Sequence, residues 1–254
     1  MAKSLIACRV QSYAPFTSRA YEHLASLGIG HVEIRLPRPE EAEATRAELE
    51  RHGLSATSLQ GDCDLSRVNV AGQIEAQMPS FACLGTRIMF LPVRAGDIPL
   101  QTAYSRLREA GDVAASHGVT IVLETHPDLI TNSAKALDTM RGVNHPNVRI
   151  NFDTANIYFY NRGVDAVEEL CPMVPFVAAV HLKDTDGSYR RRHFPALGHG
   201  IVRFAEVFAV LDKVSFMGPY TIEIEGVEGE TRTERLVCDR VAESVEFLRS
   251  LGRK

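Results

Sequence analysis

The chain of 254 residues carries 28 Lys and Arg against 32 Asp and Glu, a formal net charge of -4, and 45% of its residues are hydrophobic. That length is enough to bury a large core, and it fits one α/β barrel as readily as two small domains. The slight acidity gives no electrostatic reason to bind a phosphate backbone, and no apolar run approaches a membrane span or a signal-peptide core. A cytoplasmic protein without nucleic-acid or membrane partners is therefore expected. Five widely spaced cysteines without a C-x-x-C pair argue against a disulfide framework or a structural zinc site and read as buried, reduced thiols.

In chain order, short apolar or β-branched runs alternate with longer segments of helical spacing. Strand Leu5–Val10 precedes helix Thr17–Leu27, His31–Leu36 precedes Glu40–Arg51, and Ser55–Leu59 precedes Val70–Leu84. Arg87–Leu91 is followed by Thr102–Ser116, Thr120–Glu124 by Ser133–Arg141, and Val148–Phe152 by Val164–Leu170. Val177–Leu182 leads to Phe204–Lys213, and Tyr220–Ile224 to Thr233–Leu251. Several helices end in a glycine suited to a left-handed cap before the next strand: Gly28, Gly53, Gly85 and Gly118. Eight such units predict a closed (β/α)8 TIM barrel of the α/β class, a single domain over 1–254. An open doubly wound sheet is the alternative, but neither G-x-G-x-x-G nor G-x-x-x-x-G-K occurs.

Catalytic groups of such barrels sit at the C-terminal ends of the strands. Four successive predicted strands end in chemistry-bearing residues: Glu124, Asp153, His181 and Glu223. Three carboxylates converging on one point repel one another, and a divalent cation is the simplest way to keep them ionised together. Mixed oxygen and nitrogen ligands with open positions suit Mn²⁺, Co²⁺, Mg²⁺ or Zn²⁺. Taken singly, each residue is as readily a helix cap or a solvated strand end, Asp153 especially.

The segments Val122-Leu123-Glu124-Thr125-His126-Pro127, Asn151-Phe152-Asp153-Thr154-Ala155-Asn156, Val180-His181-Leu182-Lys183-Asp184, Leu197-Gly198-His199-Gly200 and Gly218-Pro219-Tyr220-Thr221-Ile222-Glu223 carry a resemblance. With them the chain resembles the xylose isomerase-like TIM barrel superfamily, the sugar phosphate isomerase/epimerase group. The resemblance implies one divalent metal, Mn²⁺ foremost, on Glu124, Asp153, His181 and Glu223, with both glutamates as the acid/base pair. The DNA-repair branch of that superfamily builds a three-metal cluster from further histidines and an aspartate. Here Met89-Phe90-Leu91-Pro92, Gln60 and Asn156 stand where such ligands are due, and no Asp-x-His pair accompanies Arg190–His193, which argues against a nuclease.

One metal flanked by two glutamates fits proton abstraction α to the carbonyl of a small keto sugar or keto polyol, through an enediolate. Return of the proton gives an epimer or an isomer. A leaving group β to the carbonyl makes the same site a lyase or dehydratase, and a barrel that has lost activity is a binding or complex-forming subunit. His126 is placed to bond a substrate hydroxyl or to orient Glu124. Lys183 either stabilises an oxyanion or pairs with Glu225 or Asp184. Asn156, Arg192 and His193 complete the substrate-binding candidates, although the basic run Arg190–Arg192 reads first as a solvated loop. Either Glu33 or Arg35 faces the pocket, or the two residues belong to internal ion pairs. So lean a barrel is expected to shape its pocket with short βα loops, and a neighbouring subunit, a second copy or a partner chain, is the candidate for closing it.

Overall fold

Runs such as Ile121-Val122-Leu123 are buried on both faces, as a parallel strand wrapped by helices requires. The computed structural model describes residues 5–253. Eight parallel strands close into a barrel: β1 (Leu5–Arg9), β2 (His31–Arg35), β3 (Ser55–Gln60), β4 (Ile88–Leu91), β5 (Thr120–Glu124), β6 (Val148–Asp153), β7 (Val177–Leu182) and β9 (Pro219–Ile222), the last pairing back onto β1. The fold is the expected (β/α)8 TIM barrel, and every predicted strand lies within two residues of its observed bounds. A main core lies between strands and helices, and a small separate cluster of Phe90, Val122 and Ala179 comes from β4, β5 and β7.

The glycine punctuation holds: Gly28, Gly53, Gly85 and Gly118 have φ of 71°, 67°, 65° and 69°, a region that other residues enter only at a cost. The last helix, α10 (Glu234–Ser250 in chain order), starts where the Thr233 side chain accepts the Leu236 N–H, and it buries Val237, Val241, Val245 and Leu248. All five cysteines are free thiols, but only Cys8 is fully buried and Cys171 is exposed, so burial of all five is not observed.

Three features depart from the sequence reading. The helix expected over Val70–Leu84 is two, α3 (Val70–Glu75) and α4 (Met78–Leu84). Pro79 cannot donate within a continuous helix and sits instead in the first turn of α4, where no donor is needed. A short helix, α7 (Asn156–Tyr160), follows β6 directly. Finally, the connection from β7 to α9 (Phe204–Asp212) runs from Lys183 to Arg203 and is not short. It carries β8 (His193–Phe194), which pairs antiparallel with β10 (Gly226–Val227) beside the barrel mouth. The pocket is thus partly walled by this chain's own long loop.

Candidate active site

Strand register brings the ligands together. Asp153 and His181 are direct register partners on β6 and β7, aligned by an irregularity at Ile150/Asn151. Glu124 ends β5, and Glu223 follows β9 immediately. One ligand atom from each of Glu124, Asp153, His181 and Glu223 lies within 4.8 Å of the others, and all four residues are buried. Asp153 serves two purposes at once. Its Oδ1 accepts the N–H groups of Ala155 and Asn156 at 2.9 Å each, holding the turn into α7, while Oδ2 is left for the cluster.

A second register row supports the first. Arg9 lies opposite Glu33, and an irregularity at Val32/Glu33 brings Glu33 opposite Ser58; such bulges re-aim side chains near active sites. The carboxylate of Glu33 accepts from Ser58 Oγ at 2.7 Å and from Arg9 Nη1 at 3.0 Å, and it lies 3.1 Å from His181 Nε2. That last contact lets Nε2 donate to Glu33 and leaves Nδ1 facing the cluster, 2.9 Å from Glu223 Oε2; a carboxylate behind the far ring nitrogen is how metal-binding histidines are held. Glu33 is therefore buried in ion pairs, and Arg35, at the end of the same strand, is exposed.

Buried polar atoms are nearly always hydrogen-bonded. Asp153 Oδ2 makes no hydrogen bond, only a 3.5 Å ion pair with Lys183, while His181 Nδ1 and Glu223 Oε2 are left facing each other at 2.9 Å, and the three atoms converge on one point. Two carboxylate oxygens and an imidazole nitrogen, with Glu124 beside them, are a donor set for one divalent cation.

The protein's own charges hold the cluster unevenly. Burial pushes the Glu124 carboxyl up, but His126 and His181 outweigh it and bring it down to about 2. For Glu223, burial is likewise overcome, here by Lys183, Arg9 and His181, leaving it well below the ordinary carboxylate value. Asp153 rises to about 6, because burial, with Glu223 and Glu124 nearby, exceeds the pull of Lys183. Burial opposes the charge on His181, yet Glu33 and Glu223 raise it well above its usual value.

Above the cluster lies a cavity of about 400 Å³. Of the residues predicted from sequence, Glu124, Glu223, His126, Asn156, Lys183 and Arg192 line it, with Asp153 and His181 beneath. His126 Nδ1 lies 2.6 Å from Glu124 Oε2, and its Nε2 is 2.7 Å from the Tyr160 hydroxyl. Lys183 Nζ lies 3.0 Å from Glu225, 3.5 Å from Asp153 and 3.9 Å from Glu223, so it is an ion-pair centre facing the cavity. Asp184 does not pair with it: its carboxylate accepts backbone N–H groups of Thr185, Gly198, Gly200 and Val202. Asn156 accepts from Lys183 at 3.3 Å and donates to Thr125 O at 3.1 Å, which leaves it little freedom for a substrate. His193, also expected at the site, is not among the residues that line the cavity. Side chains alternate along a strand, and in β8 it is Phe194 that lines the cavity, while the His193 ring lies 3.8 Å from Asp186. Sequence reasoning missed Arg9, whose Nε lies 3.4 Å from Glu223 and whose Nη2 donates to Gln60 at 2.7 Å. It also missed the aromatic wall of Phe90, Phe159, Tyr160 and Phe194.

The fold and site are thus a closed parallel barrel with a buried carboxylate and imidazole cluster that could hold a metal ion at its C-terminal mouth, where barrel enzymes place their active sites. Residues 21–251 match the family described as xylose isomerase-like TIM barrel, and the chain belongs to that family. Among curated relatives, a 3-dehydroshikimate dehydratase of Bacillus anthracis is 31% identical over 85 residues, 33% of this chain and 30% of that protein. A Haemophilus influenzae protein provisionally named L-ribulose-5-phosphate 3-epimerase is 30% identical over 122 residues, 44% of this chain and 40% of that one. The matches thus span less than half the length of either relative. Among solved structures, D-allulose 3-epimerase from Methylomonas sp. superposes with a TM-score of 0.75 at 20% identity, covering 98% of both chains. Among the described residues, no helix is long and apolar enough to cross a membrane.

Proposed function

We propose that the protein is a divalent-metal-dependent isomerase or epimerase that abstracts a proton α to the carbonyl of a small keto sugar or keto polyol. The observation that carries this reading is the convergence of buried ligand atoms from Glu124, Asp153, His181 and Glu223 within 4.8 Å of one another, beneath a cavity that Glu124 and Glu223 both line. Glu124, Asp153, His181 and Glu223 would hold the ion. When bound, it supplies positive charge against the negative charge that develops on the substrate's carbonyl oxygen. One glutamate takes the carbon-bound proton, the C–H electron pair moves toward the carbonyl, and the other glutamate returns a proton to the opposite face or the adjacent carbon. Lys183, buried among carboxylates, adds fixed positive charge at the same point. A cavity of about 400 Å³ suits a small metabolite and not a polymer.

A second reading, a lyase or dehydratase using the same glutamates, is favoured by one contact. His126 sits between Glu124 and the Tyr160 hydroxyl, where it can hand a proton to a departing hydroxyl. A purely binding role is opposed by the complete donor set.

The test is to incubate the Mn²⁺-loaded protein, and a chelator-treated control, with ketoses, inososes and 3-keto glycosides in D₂O, following carbon-bound deuterium by NMR. Deuterium incorporation that needs the metal supports the reading, and the product distinguishes epimer, isomer and elimination. No incorporation with any substrate favours the binding subunit. Independently of turnover, Mn²⁺ at 100 times its Kd adds about 2.7 kcal/mol of stability, a rise in Tm of about 5–10 °C for a chain of this size. Parallel scans with Co²⁺, Mg²⁺ and Zn²⁺ rank the metals.

A further inference from the structure

Beside the main cavity, on the Glu223 side of the mouth, lies a second chamber of about 190 Å³. Arg9, Arg192, Glu223 and Glu225 line both spaces, so the two adjoin across these side chains. The chamber's own wall adds Arg35 from the end of β2 and Arg232, which leaves four arginines facing two glutamates.

The glutamates are already engaged. Glu223 lies 3.4 Å from Arg9 and 2.9 Å from His181, and Glu225 lies 3.0 Å from Lys183. Arg9 is held in turn by Glu33, Glu223 and Gln60. The other three arginines lack such partners. Among the described residues, no carboxylate stands within ion-pair distance of Arg35, Arg192 or Arg232. Arg232 donates to the backbone carbonyls of Ser12 at 2.5 Å and Glu225 at 3.4 Å, which fix its guanidinium without neutralising it. Arg240, close behind, is neutralised by Glu230 at 2.7 Å. The crowding registers on Arg232, whose basicity falls through burial first and then through Arg240 and Arg192, despite the opposing pull of Glu230 and Glu225. An acidic protein has thus gathered unneutralised positive charge in a space that adjoins the cavity at Glu223.

Guanidinium forks match the planar oxygens of carboxylates and the tetrahedral oxygens of phosphates, often through paired hydrogen bonds. We infer that the chamber receives an anionic group, a carboxylate or a phosphate, carried by the substrate that reacts between Glu124 and Glu223. The inference rests on the proposed proton-abstraction site and narrows its substrates from neutral to acidic keto sugars or polyols. The chamber touches Glu223 and not Glu124 or His126, so the anionic group hangs from the Glu223 end of the substrate, with the hydroxylated end toward His126.

Two measurements separate this inference from the reading beneath it. In the first, inorganic phosphate and propionate are titrated calorimetrically into metal-loaded wild type and into an Arg35→Gln/Arg192→Gln variant. Both side chains are exposed, so the variant is expected to fold, which its Tm checks. At least one anion is expected to bind wild type, with about 10- to 100-fold weaker binding in the variant, the scale of lost charge-assisted hydrogen bonds. Failure of both anions to bind wild type, or equal binding to the variant, overturns the inference. In the second, exchange in D₂O is compared for a neutral ketose, its phosphate ester and a keto sugar acid. The ratio of kcat/KM for the anionic over the neutral substrate is expected to fall by about 10- to 100-fold in the variant. Whichever anionic substrate shows the fall names the source of the charge, and an unchanged ratio overturns the inference. Anion binding that depends on the arginines, without exchange of any substrate, keeps the chamber and removes the proposed function instead.

Discussion

The two glutamates that flank the cavity are alike in type and burial and unlike in what stands behind them. Glu124 is backed by an imidazole, with His126 Nδ1 at 2.6 Å and the Tyr160 hydroxyl 2.7 Å beyond. Glu223 is backed by permanent cations, with Arg9 Nε at 3.4 Å and Lys183 Nζ at 3.9 Å. An imidazole can pass a proton outward, whereas a guanidinium cannot be deprotonated in a protein. Glu124 is therefore built to exchange protons with groups at the mouth. Glu223 is held ionised, the form that takes a proton from carbon in one direction of the proposed reaction, while Glu124 gains and loses its proton through His126.

The largest expected effects fall on the glutamates themselves. Glu124→Gln and Glu223→Gln should each lower the rate of deuterium incorporation by about 10³–10⁴, the upper range for an acid/base group. A wild-type rate in either variant removes that residue from the pair and breaks the comparison. Arg9→Met comes next. It leaves Glu33 and Glu223 buried without their guanidinium, and breaking such a pair costs about 3 kcal/mol or more. For a domain of this size that lowers Tm by about 6–12 °C, readable by calorimetry. Arg9→Lys should recover part of the stability and little of the rate, because one ammonium cannot reach Glu33, Glu223 and Gln60 together.

Arg9 also shows where the sequence stops being informative. Strand ends at Glu124, Asp153, His181 and Glu223 could be read because apolar runs stop abruptly there and the barrel rule says where strand ends converge. Arg9 closes a strand too, but its partners lie 24 and 51 residues away at Glu33 and Gln60, reached only across neighbouring strands. Its importance comes from barrel register, which the Val32/Glu33 irregularity sets and no local pattern reveals. The aromatic wall was hidden for a related reason. Phe159 and Tyr160 belong to α7, a helix too short to show periodicity, and Phe194 belongs to a strand of two residues. Pro79, by contrast, was a legible sign that Val70–Leu84 is two helices, and helical spacing on both sides masked it.

A smaller effect is expected from His126→Gln, and its sign in pH is fixed. Glu124 must be ionised to accept a proton. Burial drives its pKa up, and His126 is first among the groups that hold it down at about 2. Without His126 the folded-state pKa rises, so the acid limb of the kcat/KM profile should move to higher pH, and loss of the proton-passing imidazole should separately lower kcat/KM at neutral pH by about 10- to 100-fold. Stability moves the same way: a carboxyl depressed in the fold contributes stability that is lost as pH falls through its folded pKa. The variant forfeits part of that contribution above the unfolded value. An unshifted acid limb means that His181 alone sets Glu124, and the two sides of the mouth are then more alike than their neighbours suggest.

Tyr160→Phe is the finest test, because it trims only the outer end of the Glu124 side. The ring contacts with His126 and Phe159, each 4.9 Å between centroids, can persist, while the hydroxyl 2.7 Å from His126 Nε2 is lost. One neutral hydrogen bond is worth about 1 kcal/mol, so kcat should fall about fivefold with little change in Tm. Which product suffers then decides between the two chemistries. In epimerisation the proton passes between glutamates and substrate, and the variant slows exchange and product formation equally. In elimination the relay must deliver a proton to the departing hydroxyl, so product formation slows while deuterium still enters the substrate. Equal slowing assigns the hydroxyl to positioning His126, unequal slowing assigns it to proton delivery, and an unchanged kcat ends the relay at His126.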